Sequence, residues 1–213
     1  MDLESVWAHR EEVIYPETFG GFSRGIFPLS QTYFQPFPNA EIDPRWMHYG
    51  VFEFAPTEKR ESWLYVTSGH SNPWDTPPDE YRPDATSGAG VEFSIETREN
   101  GDWAIRFLLR MLAFDLLLSS GHFGDKPPLG LHDRIPLGGP VDGNAGTPVT
   151  HVILHTPESY PNSFQLPSGK VEILQFIGVT DEECDLARSD GFDALRAKLL
   201  SEGNFPATDL HRR

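Results

Sequence analysis

The chain has 213 residues, enough for one large domain or one domain with an N-terminal extension, and its 38% hydrophobic and 12% aromatic content suits a folded globule with a sizeable core. Thirty-two acidic side chains against 17 basic ones give a net charge of −15, which argues against nucleic-acid partners, favours encounter with a basic protein, and also serves solubility alone. A single cysteine, Cys184, excludes an internal disulfide and a cysteine-rich metal site.

The first residues, Met-Asp-Leu-Glu-Ser-Val-Trp, have neither the basic region nor the apolar core of a secretion signal. Residues 3–14 read as a short helix stopped by Pro16. Residues 15–44 are rich in Gly, Pro and aromatics without helical or strand period. Phe22, Phe27, Phe34 and Phe37 suggest that this stretch packs down, since a flexible linker carries few aromatics. Residues 1–40 are therefore expected to form an arm packed on a domain of residues 41–213.

Within that domain, residues 49–55 and 62–67 alternate as strands around a turn at 56–59. Residues 69–88 form a long loop, and long ordered loops often carry function. A strand at 91–97 ends at Asn100-Gly101. Asp102 is then expected to cap a helix from Trp103 to about Leu118, buried on most of its circumference, with Asp102, Arg106, Arg110 and Ala113 on one polar stripe. This apolar region, broken by Arg106, Arg110 and Asp115, is shorter than the ~20 residues of a membrane span. Asp115 falls on the apolar face, where a carboxylate needs a partner, a loop backbone for example, or must become neutral.

Residues 119–149 form a second long loop. A strand at 149–156 follows, then a hairpin of 164–166 with 171–177 across Pro167-Ser168-Gly169. Thr180 and Glu183 have capping-box spacing at the start of a helix over 181–188. A last helix spans 192–201, before a tail from Gly203. The expected fold is α+β, a mixed sheet flanked by helices, with loops 69–88 and 119–149 gathered at one edge.

Catalytic signals are weak. His151 and His155 have the i, i+4 spacing of a zinc motif, but Val152 follows the first and the run between them favours a strand. His122 and His132 could add ligands, yet no spacing ties them together. Ser68-Gly69-His70-Ser71 lacks the Gly-x-Ser-x-Gly frame of a nucleophile elbow. Ser87-Gly88-Ala89-Gly90 precedes a strand instead of opening a phosphate-binding helix. No catalytic residue, metal or cofactor is assigned.

Five segments in one order resemble the suppressor of fused family: Trp63-Leu-Tyr-Val-Thr-Ser-Gly-His-Ser71, Ser87-Gly-Ala-Gly-Val-Glu-Phe-Ser94, the helix from Trp103 leading to Ser120-Gly-His122, Val171 to Glu183, and Thr208-Asp-Leu-His-Arg-Arg213. The resemblance covers about residues 41–213. Animal members carry a second domain and hold Gli-type transcription factors in the cytoplasm without catalysis. Single-domain bacterial relatives are read as immunity proteins that neutralise toxins. The resemblance thus implies a cytoplasmic, non-enzymatic protein-binding domain, of immunity type, whose partner is a protein, a basic toxin domain for instance, with no nucleic acid or membrane. A regulatory scaffold that sequesters an endogenous protein is the alternative, and a metal-dependent hydrolase using His122, His132, His151 or His155 a third. Asp84, four residues before Gly88, matches an acidic residue that binds the partner peptide in animal members. Trp74 and Tyr81 match by region, and His70 stands where the family has a hydrophobic residue.

Overall fold

Alternating apolar residues assemble into one eight-stranded sheet in the computed structural model, which describes residues 2–212. In chain order the elements are α1 (Leu3–Ala8), α2 (Tyr15–Phe19), β1 (Phe22–Pro28), β2 (Gly50–Phe54), β3 (Trp63–Ser68), β4 (Thr86–Thr97), α3 (Asp102–Ser119), β5 (Arg134–Pro136), β6 (His151–His155), β7 (Ser163–Leu166), β8 (Gly169–Val179), α4 (Asp181–Asp190) and α5 (Phe192–Ser201). The strand order is β1-β2-β3-β4-β8-β6-β5, with β7 paired to the start of β8. β4 and β8 run parallel and the other pairs are antiparallel, so the sheet is mixed and the α+β expectation holds.

The period of two sorts side chains onto two faces. Tyr65, Phe93, Ile95 and Phe176 point to α3, which contributes Ile105, Leu108, Leu112 and Leu116 to the largest core. On the opposite face, Leu64, Val66, Phe52, Phe54 and Ile173 lie under Val6, Tyr15 and Phe19 of the N-terminal helices. Further along that face, Ile153, Ile177 and Val179 meet Cys184, Ala187, Leu195 and Leu199 of α4 and α5. The capping box forms as spaced: Thr180 Oγ1 accepts from Glu183 N at 3.3 Å, and Glu183 Oε2 accepts from Thr180 N at 2.8 Å.

Six local expectations are corrected. The first helix does not stop at Pro16; a π-helical stretch, His9–Ile14, leads into α2, where Pro16 stands in the first turn. Proline offers no N–H to the helical ladder, yet the helical run continues through it from the π-helical stretch. Residues 15–44 are not without regular structure, because β1 pairs with β2; register shifts between Phe22, Arg24 and Phe27 hid its alternation. β4 begins at Thr86, not 91, since Gly88 and Gly90 sit inside the strand at positive φ and interrupt its ladder. Loop 119–149 contains β5, whose three residues pair with β6 and are too short to show a pattern. Asp102 does not cap α3; its carboxylate pairs with Arg24 at 2.7 Å, and Gly101 occupies the cap position. Ala113, placed on the polar stripe of α3, is buried.

Candidate functional site

Loop 69–88 leaves the end of β3 and returns into β4, and its first end is tied down by Glu92, which is fully buried. Glu92 Oε1 accepts from Gly69 N at 3.0 Å, Ser71 N at 3.0 Å and Ser71 Oγ at 2.6 Å, while Oε2 accepts from Thr67 Oγ1 at 2.6 Å. Arg10 enters from the other side: its Nη1 donates to Ser71 Oγ at 2.9 Å and Asn72 Oδ1 at 2.6 Å and stands 3.8 Å from Glu92. Nη2 pairs with Glu11 at 3.0 Å, and Glu11 also accepts from Ser68 Oγ at 2.7 Å. Desolvation opposes the buried guanidinium, but Tyr15, Glu92 and Glu11 outweigh it, and the Arg10 pKa is raised.

The second strand of the loop is held as tightly. Ser87 Oγ donates to Ser71 O at 2.7 Å and faces Ser168 Oγ at 2.6 Å, and Ala89 N donates to His70 O at 2.8 Å. Gly88 allows this closeness: its φ is +57°, and an added Cβ would fall 2.5 Å from Asn72 O and 2.6 Å from His70 O. The glycine, serine and glutamate of two resembling segments are therefore the lock that shapes this loop.

On this base the four residues singled out from sequence fare differently. Asp84 is exposed, next to backbone anchored by Gln165 on Pro83 O and Lys170 N on Ala85 O, both at 2.8 Å. Trp74 is half-buried; its Nε1 donates to Tyr49 OH at 3.1 Å, its ring meets Trp7 edge-on at 5.5 Å, and Arg45 lies 5.9 Å over it. Tyr81 is half-buried against the N-terminal helix layer, and burial, with Asp2 nearby, raises its pKa. His70 is only 3% exposed and turned inward, its Nε2 3.1 Å from Asp115 Oδ2. Asp115 Oδ1 accepts from Leu129 N at 2.6 Å, so the buried carboxylate has the loop-backbone partner expected of it and a histidine besides. Loops 69–88 and 119–149 thus meet at the C-terminal end of α3 and not along a sheet edge.

The outer surface of loop 69–88 is acidic, with Asp75, Asp79, Glu80 and Asp84 exposed and Asp75 88% so. Beside it Arg45, Trp46, Tyr49, His70 and Trp74 line a concavity of about 210 Å³. Sequence reasoning missed Arg10 and Glu11. No local pattern marks either, because their partners lie some sixty residues away.

The other histidines are dispersed. His151 Nδ1 lies 3.2 Å from Asp181, and His132 stacks on Phe192 at 5.3 Å. His155 is buried between Phe192 and Phe205, and desolvation lowers its pKa to about 4. His122 packs on Phe123. Among the described residues no three metal-ligating side chains converge, and no helix is long and apolar enough to cross a membrane.

The family model described as suppressor of fused protein matches residues 45–213. No curated protein matches the chain. Among solved structures, a chain of the Sufu–Fu complex is similar at 17% identity and TM-score 0.65, covering 99% of this chain and 90% of that one. A SUFU homologue from Neisseria gonorrhoeae FA 1090 aligns at 17% identity and TM-score 0.61, over 99% of this chain and 94% of its own. Drosophila Suppressor of Fused aligns at 17% identity and TM-score 0.59, over 85% of this chain and 48% of that longer one.

Proposed function

This chain belongs to the suppressor of fused family, and from that premise we propose that it is a non-enzymatic, cytoplasmic protein-binding domain of immunity type, which neutralises a basic toxin through loop 69–88. The observation that carries this reading is the loop itself. Its first end is fixed by buried hydrogen bonds to Glu92 and Arg10 and its second by Ser87 and Ala89 on that first end, while Asp75, Asp79, Glu80 and Asp84 face outward. A loop fixed before binding loses little freedom on association, and its carboxylates steer a basic surface towards it. Trp74 and Tyr81 supply aromatic contact area beside the charges. His70 lies below the loop, its Nε2 3.1 Å from Asp115 Oδ2. The similar structure of a Sufu–Fu complex supports protein binding as the general activity. The net charge of −15 supports a basic partner.

Growth rescue by co-expression with a basic toxin, together with co-purification of the two, tests the proposal. Asp84→Lys combined with Trp74→Ala should abolish both. Asp84→Lys is the cleaner probe because its side chain is exposed, whereas Trp74→Ala also removes contacts to Trp7 and Tyr49. Capture that survives the double substitution would move the contact surface elsewhere. A partner that is an endogenous regulator and not a toxin would replace the immunity role with sequestration.

A further inference from the structure

The C-terminal end of α3, where loops 69–88 and 119–149 meet, carries a negative potential that the helix itself does not offset. α3 is 18 residues long and has no basic residue in its last turn, so the partial negative charge of its final carbonyls stands uncompensated along the chain. The carbonyls of Leu116, Leu117 and Leu118 accept from Ser120 N, His122 N and Gly121 N. Those of Ser119 and Ser120 accept no backbone hydrogen bond among the described residues.

This end opens on a concavity of about 600 Å³ whose walls include Glu41, Asp43, Trp46, Ser120 and His122. Glu41 is exposed and unpaired among the described residues, and no Lys or Arg lines the concavity beside it. Arg45, close by in the chain, is already committed to two carboxylates, Asp43 at 2.6 Å and Asp75 at 2.7 Å. Trp46 is half-buried, with its ring stacked on Phe34 at 5.6 Å. It also lines the smaller concavity beside loop 69–88, so the two concavities adjoin at this indole.

A free carboxylate, spare carbonyls at a helix end and an aromatic wall together favour a cation. Among cations a guanidinium matches these groups best. Its plane stacks on an indole, and its five N–H donors can serve a carboxylate and a carbonyl at once, whereas an ammonium is a compact point charge. We propose that this concavity receives an arginine side chain of the basic protein partner, with the guanidinium on Glu41 and against Trp46. The proposal rests on the protein-binding reading above and extends its surface from loop 69–88 across Trp46 to the end of α3.

Titration of the full chain with N-acetyl-arginine amide, followed by NMR at the Trp46 indole N–H and the amides of residues 120–122, tests this without any partner. These resonances should shift saturably, and N-acetyl-citrulline amide, the neutral isostere, should leave them in place. Glu41→Gln, at an exposed position that leaves the fold intact, should weaken binding by about fivefold, the worth of an exposed ion pair. No saturable shift overturns the proposal, as does an equal response to the citrulline probe or a response that Glu41→Gln does not alter. N-acetyl-lysine amide binding as tightly overturns the choice of a guanidinium. Glu41→Lys should also weaken capture of the basic toxin. Capture lost in Asp84→Lys but untouched by Glu41→Lys removes this concavity from the interface and leaves the loop reading standing. Saturable, Glu41-dependent arginine binding without capture of any toxin supports the site and removes the immunity reading.

Discussion

Glu92 and Glu96 lie on one strand, both buried; Glu96 pairs with Leu64 in the ladder between β3 and β4, and Glu92 lies just beyond that ladder's other end. Glu92 accepts from Gly69 N, Ser71 N, Ser71 Oγ and Thr67 Oγ1 and has Arg10 beside it; Glu96 accepts from Ser62 and keeps one oxygen free. The same side chain thus closes the structure at one end and leaves it open at the other. Burial alone does not decide what a carboxylate does. The number of donors that the surrounding chain brings to it does.

Breaking the closed end should have the largest effect. Glu92→Gln leaves the buried Arg10 with Glu11 as its one remaining carboxylate, weakens the acceptor shared by Gly69 N, Ser71 and Thr67, and should cost about 3 kcal/mol by chemical denaturation. It should also speed hydrogen exchange at residues 69–72. A cost below about 1 kcal/mol would mean that Arg10 and not Glu92 organises the loop.

Next is His155, which packs on Phe205, a wall of the open end. Its folded pKa of about 4 lies below the ordinary 6.5. The unfolded chain takes up a proton in this window that the folded chain refuses. Stability present above pH 6.5 is therefore lost as the pH falls towards 4, by about 3 kcal/mol. Unfolding curves across that range should show the slope in the wild type and a flatter one in His155→Gln.

Gly88→Ala should cost about 2 kcal/mol, from the left-handed φ and the backbone crowding around its Cβ. Thermal melts of Gly88→Ala and Ala89→Gly would show whether this conformation is as specific as the contacts imply.

Glu96→Gln gives the smallest change and the opposite sign. The raised folded pKa of Glu96 means that the folded chain holds its proton longer. That contribution is present below the ordinary 4.5 and is lost as the pH rises through the folded value. Replacing Glu96 by a neutral amide should leave stability at pH 7 unchanged or raised by about 1 kcal/mol. Destabilisation by Glu96→Gln at pH 7 would make the two ends of β4 alike.

Much of the fold was legible because its signals are local. The Thr180–Glu183 box and the tight turn between Leu166 and Gly169 each need only a few neighbouring residues, and both form where the spacing puts them. β1 was not legible, since its bulges break the alternation by which a strand is recognised. The site was legible in part. Loop 69–88 stood out by length and composition, and Glu92 lay inside a family-like segment, but nothing around Arg10 pointed to Ser71.

By itself, the sequence determined the mixed sheet with its helices, the capped start of α4, the acidic surface and the family. The tertiary structure alone decided that Arg10 meets Glu92, that His70 faces Asp115, and that Glu96 lacks a second partner. The physical reason is range. Caps and turns are settled by hydrogen bonds between neighbours in the chain. Buried charges are settled by whichever distant groups the strand order brings within about 3 Å, and no local pattern records that order.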